Sequence, residues 1–186
     1  MQIRPLPPNY AWLEAEPGPR MLREALALHG VLEAKGAANS PQIMQWAQEV
    51  ARAPGCRWIG SWYDRDEIPW CGLFLGVVAL RAGKPVRPTL LSARDWLNWG
   101  TPVAGAPKLG DVLVFARGSG GHVALYVGED EGHFHILGGN QGDRVSIMRI
   151  ERSRLLGARN HYTVAQPANC RRVVMSPSGP VSTDES

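Results

Sequence analysis

The chain is poor in cysteine, with three among 186 residues. An odd, small number argues against a disulfide framework and leaves Cys56 and Cys170 as free thiols or one incidental bridge. No run of about 18 apolar residues occurs, so no transmembrane helix and no stable membrane insertion are expected. The opening Met1-Gln2-Ile3-Arg4-Pro5-Leu6-Pro7-Pro8 lacks an apolar h-region and does not read as a signal peptide, so synthesis in a cytoplasm is expected. Excess charge is small as well: 20 Lys and Arg against 17 Asp and Glu give a net +3. That balance is weak ground for nucleic-acid binding and suits attraction to an acidic polymer. There is no internal repeat and no His-Glu-x-x-His zinc motif.

What is present describes one globular domain. The length suffices for a single core and is short for two, and 44% hydrophobic with 20% charged residues is ordinary globular composition. Residues 1–18 are proline-rich and read as irregular, with Tyr10, Trp12 and Leu13 packing onto the body. Residues 19–29 place Met21, Leu22, Ala25, Leu26 and His29 on one helical stripe, closed by Gly30. Asn39-Ser40-Pro41 supplies a capping residue and a first-turn proline for a helix through Ile43, Met44, Ala47 and Val50. Residues 55–69 read as a loop, 70–82 as an apolar helix and 91–98 as a short helix. From residue 109 the rhythm becomes strand-like, with runs at 111–115, 122–127, 134–137, 144–148 and about 158–164 separated by Gly- and Asp-containing turns. Helices followed by an antiparallel meander make an α+β domain over 19–164, and residues 165–186 read as a flexible tail.

Three side chains in this order carry chemical potential. Cys71 opens the apolar helix, where unpaired N–H groups and the macrodipole favour an anion, so a lowered thiol pKa is expected. His122 follows Gly118-Ser119-Gly120-Gly121 at the start of a strand and is placed to act as a general base. Asn140, in Gly138-Gly139-Asn140-Gln141, is placed to hold the imidazole in one tautomer. Taken singly, a buried structural cysteine, a satisfied histidine and a plain hairpin turn explain each of them; the conjunction favours a site. His133 and His135 fall on one strand face and with His122 would give three zinc nitrogens, but strand-surface histidines are the preferred reading. The arginines at 149, 152, 154, 159, 171 and 172 read as a solvated face, or as attraction to an anionic surface.

Trp70-Cys71, Gly110-Asp111-Val112, Gly121-His122-Val123 with Tyr126-Val127-Gly128, and Gly138-Gly139-Asn140-Gln141 with Val145 resemble the CHAP/NlpC-type papain-like peptidoglycan hydrolases. The resemblance is strongest to a phage- and prophage-associated, endolysin-like subgroup, through Asn39 to Pro41 and Ala93-Arg94-Asp95-Trp96-Leu97-Asn98-Trp99-Gly100. It covers about residues 20–162. It implies a papain-like fold with helices packed on a small antiparallel sheet, and cleavage of a murein amide bond, either in the stem peptide or between the lactyl group and L-alanine. By the match Cys71 is nucleophile, His122 general base and Asn140 the orienting residue, with Trp70, Gly121, Gly139 and Gln141 around the substrate. Many CHAP enzymes carry a glutamate where this chain has Gly138, so Asn140 acts alone or Gln141 shares the work.

Some CHAP domains bind calcium through acids just before the nucleophile, and Asp64, Asp66 and Glu67 occupy that stretch. Their incomplete spacing favours solvated loop acids that help start the helix, and no cofactor is expected. The expected partner is bacterial peptidoglycan, reached from the cytoplasm through a holin or a lesion, with targeting left to the catalytic domain because no wall-binding repeat is recognisable. A secreted interbacterial amidase toxin with an immunity protein, and a non-catalytic wall-binding or tail module, are the alternatives.

Overall fold

The computed structural model describes residues 4–36, 38–177 and 179–182, and has the α+β architecture the sequence predicts. After a 3-10 helix at Pro8–Ala15 come α1 (Arg20–Leu26), α2 (Pro41–Val50), α3 (Ile59–Trp62) and α4 (Cys71–Arg81). A second 3-10 helix, Ala93–Asn98, leads into six strands: β1 (Thr101–Pro102), β2 (Val112–Arg117), β3 (Gly120–Glu129), β4 (His133–Gly138), β5 (Ser146–Glu151) and β6 (Leu155–Asn160). None of the described helices is long and apolar enough to cross a membrane.

Patterning explains most of these elements. In α2 the buried positions are Ile43, Trp46, Ala47 and Val50, spaced as one apolar face. Helix α4 has no polar face over Cys71–Ala79, where every residue is buried, and it is the central helix against which α1, α2 and the sheet pack. Trp46 meets Trp70 at 6.0 Å and Phe74 at 5.9 Å between ring centroids. Contacts of this kind contribute about 0.5–1.5 kcal/mol each beyond buried area, and they fix the start of α4 against α2.

Strands β2 to β5 form the expected meander, and the sheet order is β1-β6-β2-β3-β4-β5 with antiparallel pairing throughout. The last strand returns across the meander to the free edge of β2, with Leu113 opposite Ala158. It starts at Leu155, earlier than its sequence suggests. One side of the sheet gives Val112, Val114, Val123, Leu125 and Val127 to the helical core, and the other buries Leu113, Phe115, Ala124, Tyr126, Phe134, Ile136 and Ile150. Burial on both faces is why these strands read as continuous apolar runs.

Three local expectations change. The loop expected over 55–69 contains α3. Ser40 makes no side-chain cap on α2; Asp66 instead anchors the chain ahead of the helix, with Oδ2 taking the Ser40 N–H at 2.7 Å and the Ala34 N–H at 2.8 Å. The stretch expected as a flexible tail is laid along the sheet: Glu129 N–H donates to Val173 O, Met175 N–H to Glu129 O, and Ser182 N–H to Arg149 O. Backbone pairing with strand termini holds it, a long-range effect that composition does not report. Ser178 and residues 183–186 of that stretch lie outside the described residues.

Candidate active site

Cys71 is the first residue of α4, following Trp70 at the N-cap. Its sulfur lies against the main-chain N–H groups of Val123, Gly72 and Cys71 itself. Because Val123 adjoins His122, the contact brings the helix start to the start of β3. Cys71 is 4% exposed and lines a cleft of about 460 Å3 together with Gly121, Arg94, Arg117 and Ser119 among others. Burial pushes the Cys71 thiol up, and this outweighs the opposing pull of the Val123 and Gly72 N–H groups and of Arg117. The expected lowering is therefore not found: the helix terminus is present, but desolvation of a closed thiol dominates. Burial thus favours the protonated form of the Cys71 thiol.

His122 is buried, and its Nε2 lies 2.9 Å from Gln141 Oε1. The Gln141 carboxamide is itself oriented, because its Nε2 donates to Ser146 O at 2.6 Å. Oε1 can only accept, so His122 Nε2 carries a proton and donates it to Gln141. Gln141, not Asn140, thus supplies the amide on the imidazole. Gly138 is the physical reason: a Cβ there would lie 2.6 Å from Gln141 Oε1 and 2.8 Å from Ala124 Cβ. Where a larger side chain would block the path, the Gln141 carboxamide folds back to reach the ring. Asn140 adopts φ 58°, the left-handed conformation that asparagine tolerates, and so turns the chain between β4 and Gln141. The adjacent pair of amides made the two roles interchangeable in sequence; the missing side chain at Gly138 was the signal that separates them.

The residues expected around the substrate divide. Gly121 lines the cleft beside Cys71. Trp70 is fully buried, and its Nε1 donates to Glu33 Oε2 at 2.9 Å, so it supports the site from beneath. Gly139 is also buried, and a Cβ there would come within 2.7 Å of Phe74 and Trp70, so its close approach is to α4. Gln141, 1% exposed, faces His122. Sequence reasoning did not assign Glu33, whose carboxyl is pushed up by burial and by the acids Asp143, Asp66 and Glu67, against the Trp70 hydrogen bond. Nor did it assign Arg117 to the cleft.

The remaining candidates have structural partners. His135 is fully buried, contrary to a surface reading; Tyr10 Oη lies 2.7 Å from its Nδ1 and Asp130 Oδ2 3.0 Å from its Nε2. His133 meets the other oxygen of Asp130, so these histidines converge on one carboxylate and not on His122. Among the described residues no group of three or more His, Cys, Asp or Glu is arranged to hold a metal ion. Asp66 is buried, with one oxygen committed to two backbone N–H groups. Much of the arginine run is paired and not simply solvated: Arg149 with Asp130, Arg152 and Arg172 with Glu129, Arg171 with Glu16. All three cysteines are free. Comparison with known proteins gives no matching family model and no matching curated sequence.

Proposed function

We propose that the chain is a papain-like cysteine amidase or peptidase acting on a murein amide bond, with Cys71 as nucleophile, His122 as base and Gln141 as the orienting amide. The observation that carries the reading is the ordered chain from Ser146 O through the Gln141 carboxamide to His122 Nε2, together with a thiol at the start of an 11-residue helix whose sulfur meets the main-chain N–H of Val123, the residue after His122. A structural histidine needs a partner; a base also needs its lone pair on a defined nitrogen, and this chain defines it.

The chemistry follows from a thiol that burial holds toward its protonated form. His122 Nδ1 takes the Cys71 proton as the sulfur attacks the amide carbonyl, so the thiolate forms within the step. The carbonyl oxygen gains negative charge at the start of α4, where main-chain N–H groups already crowd the sulfur and can stabilise it. Imidazolium returns the proton to the leaving amine, and a thioester remains on Cys71. Water, deprotonated by the same nitrogen, releases the acid and restores the thiol. Choice of murein as substrate rests on the motif resemblance and on the mild net positive charge.

The test is digestion of isolated peptidoglycan by the wild type and by Cys71→Ala, with soluble products identified by mass spectrometry. Fragments released by the wild type alone support the reading, and their new ends name the bond. Equal release by both proteins, or release by neither across several murein chemotypes, overturns it.

A further inference from the structure

The start of α4 is held through the Trp70 indole. Trp70 is the N-cap residue next to Cys71, it is fully buried, and its ring meets Trp46 of α2. A Cβ on Gly139 would lie 2.7 Å from Trp70 Cζ3, so the end of β4 closes on the ring as well. The polar atom of the ring, Nε1, donates to Glu33 Oε2 at 2.9 Å. The main chain around Glu33 reaches the other half of the site. Glu33 N–H donates to Asp143 O at 2.8 Å, Val145 N–H to Val31 O at 2.8 Å and Gly30 N–H to Val145 O at 2.9 Å. Residues 30–33 therefore run antiparallel to the stretch that follows Gln141, with Leu32 opposite Arg144. Gln141 N–H in turn donates to Arg144 O at 3.0 Å. Glu33 thus holds the cap of the Cys71 helix with its side chain and the Gln141 turn with its backbone.

We propose that Glu33 is a positioning residue for Cys71, setting the start of α4 against the His122–Gln141 side of the site by accepting the Trp70 indole N–H. The proposal rests on the hydrolase reading for its catalytic consequence and not for the placement of the thiol. Removing the acceptor strands a buried N–H, at the desolvation cost of that group, and the indole relieves the cost by shifting toward water. Cys71, the next residue, shifts with it and becomes less buried. The ionised form of Glu33 is itself opposed, first by burial and then by the like charge of Asp143, Asp66 and Glu67. What the position supplies is the acceptor, which a glutamine carboxamide also offers without the repulsion.

Three free, buried cysteines give the test its internal controls. Alkylation by iodoacetamide without substrate is followed at Cys71, Cys56 and Cys170 by mass spectrometry of their peptides. The proteins compared are the wild type, Glu33→Leu, Glu33→Gln, Trp70→Phe and Glu33→Leu/Trp70→Phe. Glu33→Leu keeps bulk without an acceptor, so the Cys71 rate is expected to rise roughly tenfold while Cys56 and Cys170 stay within about twofold. Glu33→Gln is expected to keep the wild-type Cys71 rate, with a urea midpoint no lower than that of the wild type. Trp70→Phe removes the donor and should raise the Cys71 rate too, and adding Glu33→Leu to it should change nothing further. An unchanged Cys71 rate in Glu33→Leu, a rise shared by all three cysteines, a Gln variant that behaves like Leu, or a further rise in the double variant overturns the proposal. On murein, Glu33→Leu is expected to lower kcat with KM little changed, because Glu33 is not among the described residues lining the cleft; a loss confined to KM also overturns it. If the wild type cuts no murein while the alkylation pattern is as expected, the hydrolase reading falls and the positioning of Cys71 by Glu33 stands.

Discussion

Replacement of Gln141 by alanine removes the hydrogen bond received from His122 Nε2 at 2.9 Å and those given to Ser146 O at 2.6 Å and Ser146 Oγ at 3.4 Å. The stranded groups are shielded, since His122 is 1% exposed and the Gln141 site itself 1%. Leaving a buried polar group unsatisfied costs about 1–3 kcal/mol. The part of that cost that falls on the imidazole appears in the transition state, where the ring must hold its proton on Nε2 and present Nδ1. At 1.4 kcal/mol per decade, kcat/KM on peptidoglycan is expected to fall about 10- to 100-fold. Gln141→Glu retains an acceptor for Nε2–H, so it should keep more activity than alanine and move the acid limb of the pH–rate profile upward, because a carboxylate favours imidazolium. Asn140→Ala forces alanine into φ 58°, a cost of about 1–2 kcal/mol in stability, with kcat/KM changed by less than about threefold and its pH profile unmoved. Release of soluble muropeptides gives the rates, urea unfolding the stabilities, and 15N spectra of labelled histidine the tautomer, with Nε2–H expected in the wild type. The reasoning is refuted if Asn140→Ala loses activity and pH dependence while Gln141→Ala keeps both.

Further outcomes follow from burial and charge. Gly139→Ala drives a methyl to 2.6 Å from Phe74 Cβ and 2.7 Å from Trp70 Cζ3, and should cost about 1–3 kcal/mol in chemical denaturation. Asp111 is fully buried and pushed up from 3.8 to about 6 by desolvation, so its ionised form opposes folding at neutral pH. Asp111→Asn should therefore stabilise the protein by up to roughly 3 kcal/mol near pH 8, and the difference should shrink as pH falls through 6 and be gone below about 4; a difference that is flat with pH contradicts this. His135 is pushed below the usual histidine value by burial, despite Asp130. The stability it contributes is present above about pH 6.5 and is lost on acidification below it. Thermal unfolding of the wild type and His135→Gln between pH 7.5 and 5 checks the sign, with the gap narrowing toward acid. Alkylation of Cys71 by neutral iodoacetamide in the absence of substrate should rise with pH above the ordinary thiol range of about 8.5, because burial pushes that thiol up; a plateau already reached at neutral pH would show a preformed thiolate.

Local patterning made α1, α2, α4 and the meander readable in the sequence, while α3 was not. The run Cys71–Ala79 has no polar position, and such a segment has to be the buried centre of its domain. The strands from Val112 to Glu151 are joined by short turns, so pairing follows chain order. What sequence did not disclose depends on distant partners. The return of β6 to the edge of β2, the pairing of Val173 and Met175 with Glu129, and the burial of His135 under Tyr10 each join residues far apart in the chain. At the candidate site, the places of Cys71 and His122 were legible as a helix start and a strand start. The partner of His122 was not, because Asn140 and Gln141 are adjacent amides, and the choice between them is made by the φ of Asn140 and the empty space at Gly138. The state of the Cys71 thiol was misread for a related reason: a helix terminus is visible in sequence, whereas 4% exposure is not.

The measurement that bears most directly on the account is intact-protein mass spectrometry of the chain quenched in acid during peptidoglycan digestion, followed by peptide mapping. The account predicts a mass increment equal to the acyl part of a released fragment, labile to hydroxylamine as a thioester is, located on Cys71 and absent from Cys71→Ala. Murein cleavage that proceeds with Cys71→Ala, or an adduct mapped to Cys56 or Cys170, would contradict it.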